Sequence, residues 1–161
     1  MINKIHIISD THFGHKKVIE FEALHRPFGT IEQHDRELVE RWNAKVRKHD
    51  TVWHLGDVFF GGRDAHGILA ELNGIKRLVL GNHDVYPLEV YQKYFTKIFG
   101  VAELRGCILT HVPVNPNQLE KRYKANIHGH MHSHKLDDSR YKCVSVEQTN
   151  LAPVLLSEIL P

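Results

Sequence analysis

An α/β domain with several buried strands is what the sequence predicts, on three observations. Short apolar runs of strand length recur at residues 4–9, 51–55, 78–80, 107–110 and 125–128. Between the first two, Ile31, Leu38, Trp42 and Val46 repeat at helical spacing, with Glu32, Arg36, Glu37, Glu40, Arg41 and Lys45 among them, which describes an amphipathic helix packed on a sheet. Each apolar run ends in Gly, Asp, Asn or His, as strands do when they deliver chemistry to the C-terminal edge of a sheet.

The 161 residues fit a single domain, 1–161, large enough to bury roughly two thirds of its unfolded surface. Hydrophobic residues make up 42% and charged residues 25%, ordinary for a globular protein, and a net charge of +2 gives no argument for a nucleic-acid or membrane partner. Histidine is the outlier at 14 residues, several directly after apolar runs. A stable core needs few imidazoles, whereas metal ligation and proton transfer use them routinely. Cys107 and Cys143 lie in apolar runs without metal-finger spacing and read as small buried hydrophobes, not a disulfide. The N-terminus enters a strand at once, without the apolar core of a signal peptide, and no run reaches membrane-spanning length, so a cytoplasmic location is expected.

In chain order, residues 4–9 form a buried strand from whose end Asp10 and His12 emerge, two residues apart and able to reach one metal ion. His15 follows closely enough to stand at the rim and contact a substrate phosphate. Arg26, on an Arg-Pro-Phe-Gly corner, is a candidate to clamp a phosphate bidentately, with a surface ion pair as the plainer fate. Thr30 and Gln33 have the spacing of a capping box and open the helix in which Trp42 reads as a core plate. Residues 51–55 make the next strand, closed by Gly56-Asp57. Phe59 to Gly62 reads as a mobile loop beside the site, with Phe59 or Phe60 walling the pocket. Asp64 to Leu72 reads as a short helix stopped at Asn73-Gly74.

Leu78-Val79-Leu80 runs into Gly81-Asn82-His83-Asp84, which offers a sharp turn, a neutral oxygen ligand, a proton donor and a carboxylate to orient it. Pro87 starts a helix with Leu88, Tyr91, Tyr94 and Phe95 on its apolar face. Residues 101–104 and 107–110 read as a hairpin about Arg105-Gly106. His111 then stands on a turn fixed by Pro113, and Lys121 to Lys124 is a basic cluster that reads as a solvated face. The run 125–128 leads into Gly129-His130-Met131-His132, whose histidines, two apart in a loop, can serve one ion each. Residues 141–147 read as a last strand carrying Cys143, Ser145 and Glu147 in alternation, and 153–160 as a short terminal element.

Asp10-Thr11-His12, Gly56-Asp57, Gly81-Asn82-His83-Asp84, His111 and Gly129-His130-Met131-His132 occur in an order that resembles the calcineurin-like metallophosphoesterases, over roughly residues 5–132. The resemblance implies a four-layer α/β/β/α sandwich of two mixed β-sheets with helices outside. It assigns Asp10, His12, Asp57 and His132 to one divalent metal and Asp57, Asn82, His111 and His130 to a second, with Asp57 bridging. Manganese is the ion expected first, with iron, zinc, nickel or cobalt as alternatives, since nitrogen and oxygen ligands suit all five and do not choose among them. It further implies a hydroxide held between the ions that attacks phosphorus, with His83 protonating the leaving oxygen and Asp84 orienting His83. So short a chain leaves little room for a cap over the site. Openness favours a phosphodiester, on nucleotide or nucleic-acid-like substrates, over a phosphomonoester. The alternative from another class is a metal-binding scaffold for partner proteins, which the superfamily includes; here every ligand position and His83 are filled, and decay is not suggested. The sequence is silent on oligomeric state.

Overall fold

The computed structural model describes residues 3–61 and 65–160. In chain order, β1 (Ile5–Ile8), a one-turn α1 (Val18–Phe21), the long α2 (Ile31–Lys45), β2 (Thr51–His54), a 3-10 stretch Ala65–Glu71 and β3 (Ile75–Val79) form the first half. They are followed by α3 (Leu88–Gln92), β4 (Lys97–Phe99), β5 (Ala102–Leu104), β6 (Cys107–Leu109), a 3-10 turn Pro116–Leu119, β7 (Asn126–His128), β8 (Tyr141–Cys143), β9 (Val154–Leu155) and α4 (Leu156–Ile159). One sheet runs β4-β3-β2-β1-β9, parallel except for β9; the other runs β5-β6-β7-β8, with only β5 antiparallel. These are the two mixed sheets implied by the five motifs.

Side-chain alternation along the central strands explains the stacking. Ile7, Trp53, Leu55 and Val79 point one way and meet Leu109, Ile127 and Val144 of the second sheet, forming the core between the sheets. Ile8, Val52 and Leu78 point the other way and pack on Leu38, Val39 and Trp42 of α2, with Tyr91 and Phe95 beside them. Strands buried on both faces must be apolar throughout, which is why they read as continuous runs. The outer face of the second sheet has a thinner cover, in which Ile108 packs on Leu119 and Tyr123.

Thr30 caps α2 by accepting the Gln33 N–H at 3.2 Å, while the Gln33 side chain accepts from Gly29 instead of closing the reciprocal half of the box. Trp42 is 1% exposed and donates Nε1–H to the Asn73 carbonyl, a core plate as expected. The hairpin turns at Arg105 and Gly106, both at positive φ, as a tight two-residue turn requires. Phe59 is buried in the core and only Phe60 reaches the surface; Gly62 and the expected helix start at Asp64 lie outside the described residues.

Residues 141–147 are not one strand. After Cys143 the chain leaves the second sheet and crosses to the first, where Val146 N–H donates to the Ser9 carbonyl and Ser9 N–H to the Val144 carbonyl. That crossing sets Ser145 and Glu147 under the loops that follow β1 and β7. Leu88 is half exposed, whereas Tyr91 and Phe95 are buried and Val90 and Tyr94 pack partly buried against the same core. Arg122 of the basic cluster pairs with Glu103 on the surface. Both cysteines are free, and among the described residues no helix is long and apolar enough to cross a membrane.

His54, at the end of β2, is buried and neutral. Thr11 donates its hydroxyl proton to the Val58 carbonyl, so His54 Nε2–H donates to Thr11 Oγ1 at 2.9 Å, and His54 Nδ1 accepts the Gly56 N–H. Burial pushes its pKa down to about 3, while the unfolded chain titrates near the ordinary value of about 6.5. The unfolded state therefore binds the extra proton between those values, and stability falls as pH drops below about 6.5, by about 1.4 kcal/mol per pH unit through this group. Urea denaturation between pH 7 and 5 is expected to show a shallower pH slope in His54→Gln than in the wild type.

Candidate metal centre

The ends of five strands converge on one cleft. Asp10 and His12 follow β1, Asp57 follows β2, Asn82 and His83 follow β3, His111 follows β6, and His130 and His132 follow β7. Within each sheet these strands are parallel, so β1, β2 and β3 end together on one edge of the first and β6 and β7 on one edge of the second. Asp10 N–H donates to the Gly56 carbonyl and His12 N–H to the Asp57 carbonyl, so the β1 and β2 loops stay bonded beyond their ladder.

Asp57 lies at the middle of the floor. Its Oδ2 is 3.6 Å from His12 Nε2 and 3.4 Å from His111 Nε2, while Oδ1 accepts the His83 N–H at 2.9 Å. Asp10, His12 and His132 form one group of potential ligand atoms within 4.8 Å of one another, and Asp10, Asp57 and His111 form a second. Asn82 Oδ1 is 3.0 Å from His111 Nε2, and the His111 and His130 rings lie 5.2 Å apart. Asp10, His12, Asp57 and His111 are buried, whereas Asn82, His83 and His130 are exposed, giving a closed floor with an open mouth.

Three features fit this floor to divalent cations. Neither ring nitrogen of the buried His12 has a hydrogen-bond partner, although burial drives its pKa well down and leaves lone pairs to share. His111 donates Nδ1–H to the Leu55 carbonyl, which turns Nε2 toward Asp57; burial would lower its pKa, but the Asp57 and Asp10 carboxylates outweigh this and push it up to about 9. A proton is held where negative oxygens crowd an imidazole, the place a cation prefers. Burial likewise opposes ionisation of Asp57, and His111 with the His83 N–H reverses it, holding the carboxyl well below the usual carboxylate range. No thiolate is present in the set, so oxygen- and nitrogen-binding ions suit it.

Two sequence expectations need correction. Arg26 cannot clamp a substrate: it is fully buried beneath the site, donating to the Asp10 and Thr11 carbonyls and paired with Glu147. Asp84 does not orient the His83 ring; its carboxylate accepts the backbone N–H groups of Asp57, Val58 and Gly81, which ties the β2 and β3 loops together. His83 stands in the mouth with its ring 5.9 Å from His12 and 5.5 Å from Phe60. His15 is at the rim, stacked obliquely on Phe60 at 4.6 Å. Ser145, which donates to Asp10 Oδ2 at 2.7 Å, went unrecognised; the signal was its alternation with Glu147, polar residues in an otherwise apolar run.

The loops are held in a costly backbone. Among the described residues, eight non-glycine residues have positive φ, and Asp10, His12, Asp57, His130 and His132 are five of them. Each left-handed residue costs roughly 1–2 kcal/mol, so the hydrogen bonds around them are what keeps the geometry in place. Close packing does the same at Gly81, where a Cβ would lie 2.2 Å from Asp57 Oδ1 and 2.5 Å from Asp57 N. Gly81→Ala is expected to lower stability by about 1–3 kcal/mol in urea denaturation, with displacement of Asp57 visible in a crystal structure.

Comparison with known proteins agrees with this geometry. Residues 4–150 match the calcineurin-like phosphoesterase superfamily domain. An uncharacterized protein of Methanocaldococcus jannaschii is 34% identical, covering 99% of this chain and 90% of its own length, and the Gene 66 protein of Mycobacterium phage L5 is 33% identical over 78% and 75%. Among solved structures, a protein of unknown function from Aquifex aeolicus superposes with a TM-score of 0.81 at 26% identity, covering 98% of both chains. An archaeal phosphodiesterase shares the fold at a TM-score of 0.50 and 22% identity, over 88% of this chain and 82% of its own. With a match across nearly its whole length, the chain belongs to the calcineurin-like phosphoesterase superfamily and is a phosphoester hydrolase.

Proposed function

We propose that the chain is a two-metal phosphodiesterase acting on nucleotide or nucleic-acid-like diesters. The observation that carries the reading is the Asp57 carboxylate between His12 and His111, on a buried floor beneath an open mouth bearing His83. Asp10, His12, Asp57 and His132 would hold one ion, and Asp57, Asn82, His111 and His130 the other. Divalent ions bound there neutralise charge on the phosphoryl oxygens and make a water nucleophilic near neutral pH. A carboxylate suits the shared position because it has more than one lone pair to offer, which a neutral imidazole has not; Asp57 Oδ2 faces both His12 and His111 and would be the oxygen nearest both ions. His83, exposed on a loop whose N–H is fixed to Asp57, is placed to give a proton to the leaving oxygen. His15 and Phe60 border the mouth, where a substituent on the phosphate would lie.

The open mouth supports a diester, since both substituents can extend into solvent. Manganese is the ion proposed first, although the oxygen and nitrogen donors suit iron, zinc, nickel or cobalt equally, and the two free cysteines suit the reducing cytoplasm expected from the sequence. The reading is tested with chelator-stripped protein and bis-aryl and mono-aryl phosphates. Manganese is expected to restore bis-aryl phosphate hydrolysis. Asp57→Asn and His83→Ala are each expected to lower kcat by about 10²-fold or more. A strong preference for the monoester would replace the diesterase with a phosphomonoesterase. Absence of turnover on any phosphoester, with tight capture of a partner protein, would favour a scaffold.

A further inference from the structure

We infer that Glu147, fixed by the buried Arg26, is a positioning residue that presets His132 as a metal ligand; this rests on the two-metal reading above. Both side chains of the pair are fully buried. Glu147 Oε1 accepts from Arg26 at 2.6 Å to Nη2 and 2.8 Å to Nε, and from His132 Nδ1 at 2.9 Å. An ionised carboxylate only accepts, so Nδ1 carries a proton, and in the neutral ring the lone pair is then on Nε2, the nitrogen 3.9 Å from Asp10 Oδ1. This is the carboxylate–histidine arrangement that orients ligands and raises their basicity.

Arg26 extends the arrangement across the loops. Its Nη2 donates to the Asp10 carbonyl at 2.6 Å and its Nη1 to the Thr11 carbonyl at 3.2 Å, the segment that carries Asp10 and His12 in the left-handed region. Nη1 also meets His34 Nε2 at 3.0 Å. A guanidinium has no acceptor, so His34 carries its proton on Nδ1 and donates it to Asp35 Oδ1, whose other oxygen accepts the Gly14 N–H at 2.8 Å. One chain of bonds thus runs from α2 to His132, and it touches Asp10, Thr11 next to His12, and His132 while leaving Asn82, His111 and His130 to other supports. The arrangement has structural cost, because a buried arginine without its carboxylate is strongly destabilising, whereas replacing both charges by apolar groups of similar size is often tolerated.

The test uses the full chain. Long-range ¹H–¹⁵N spectra of metal-free wild type, recorded at a pH high enough that the His132 ¹⁵N shifts report the neutral ring, are expected to place the His132 proton on Nδ1. In Arg26→Met/Glu147→Leu, which removes both buried charges together, His132 is expected to shift toward the Nε2–H form. Calorimetric titration of that variant with manganese is expected to show one of two equivalents weakened by about tenfold or more, the other near its wild-type affinity. A wild-type His132 carrying its proton on Nε2 overturns the positioning role without any variant. So does a folded double variant that binds both equivalents as the wild type does. Wild-type protein that binds no manganese overturns instead the metal reading on which the role depends.

Discussion

Two carboxylates buried at the seam between the sheets set the terms for everything around them. Removing an ionised carboxylate from water costs several kcal/mol unless opposite charge or hydrogen bonds replace the lost solvation. Asp10 is fully buried, and burial pushes its carboxyl upward; it is answered by Ser145, the His130 N–H and the nearby imidazoles. Asp57 is answered by His111, His12 and the His83 N–H. The compensating groups come from the ends of β1, β3, β6, β7 and β8, so the charge requirement draws on the ends of both sheets.

Rigid support follows from the same requirement. The ligand-bearing residues stand in backbone conformations that are unfavourable alone, and a chain free to relax would leave them. Asp84 bonds three N–H groups from two loops, and Arg26 bonds two carbonyls of a third besides pairing with Glu147, so both brace the backbone beneath the chemistry. A preorganised floor costs little rearrangement when a cation or a phosphoryl group arrives. The exposed members, Asn82, His83 and His130, occupy the mouth, where substrate and solvent meet.

Much of this was legible in the sequence because parallel strands carry their functional residues at a constant place, directly after an apolar run. The apolar runs ending at Ser9, Leu55, Leu80, Thr110 and His128 locate the cleft, and the helix from Thr30 was readable from its cap and its spacing. Contacts that are set by tertiary structure alone were not readable. Arg26 sits on a Pro-Phe corner that resembles a surface loop, and nothing local reveals that Glu147, 121 residues away, waits beneath it. Asp84 follows His83 directly, which suggests a side-chain pair, yet the sharp turn at Gly81 sends the carboxylate back under the loops. The run at 141–147 kept its strand-like alternation while switching sheets, a change that periodicity does not encode.

Sharing of Asp57 between two cations is best examined in crystals of the chelator-stripped protein soaked in manganese, with anomalous scattering measured near the manganese edge. Two peaks are expected about 3.5–4 Å apart, on either side of the Asp57 carboxylate, one beside His12 and His132 and the other beside Asn82, His111 and His130. A single peak that leaves one of these groups without an ion, or peaks away from Asp57, would contradict that sharing.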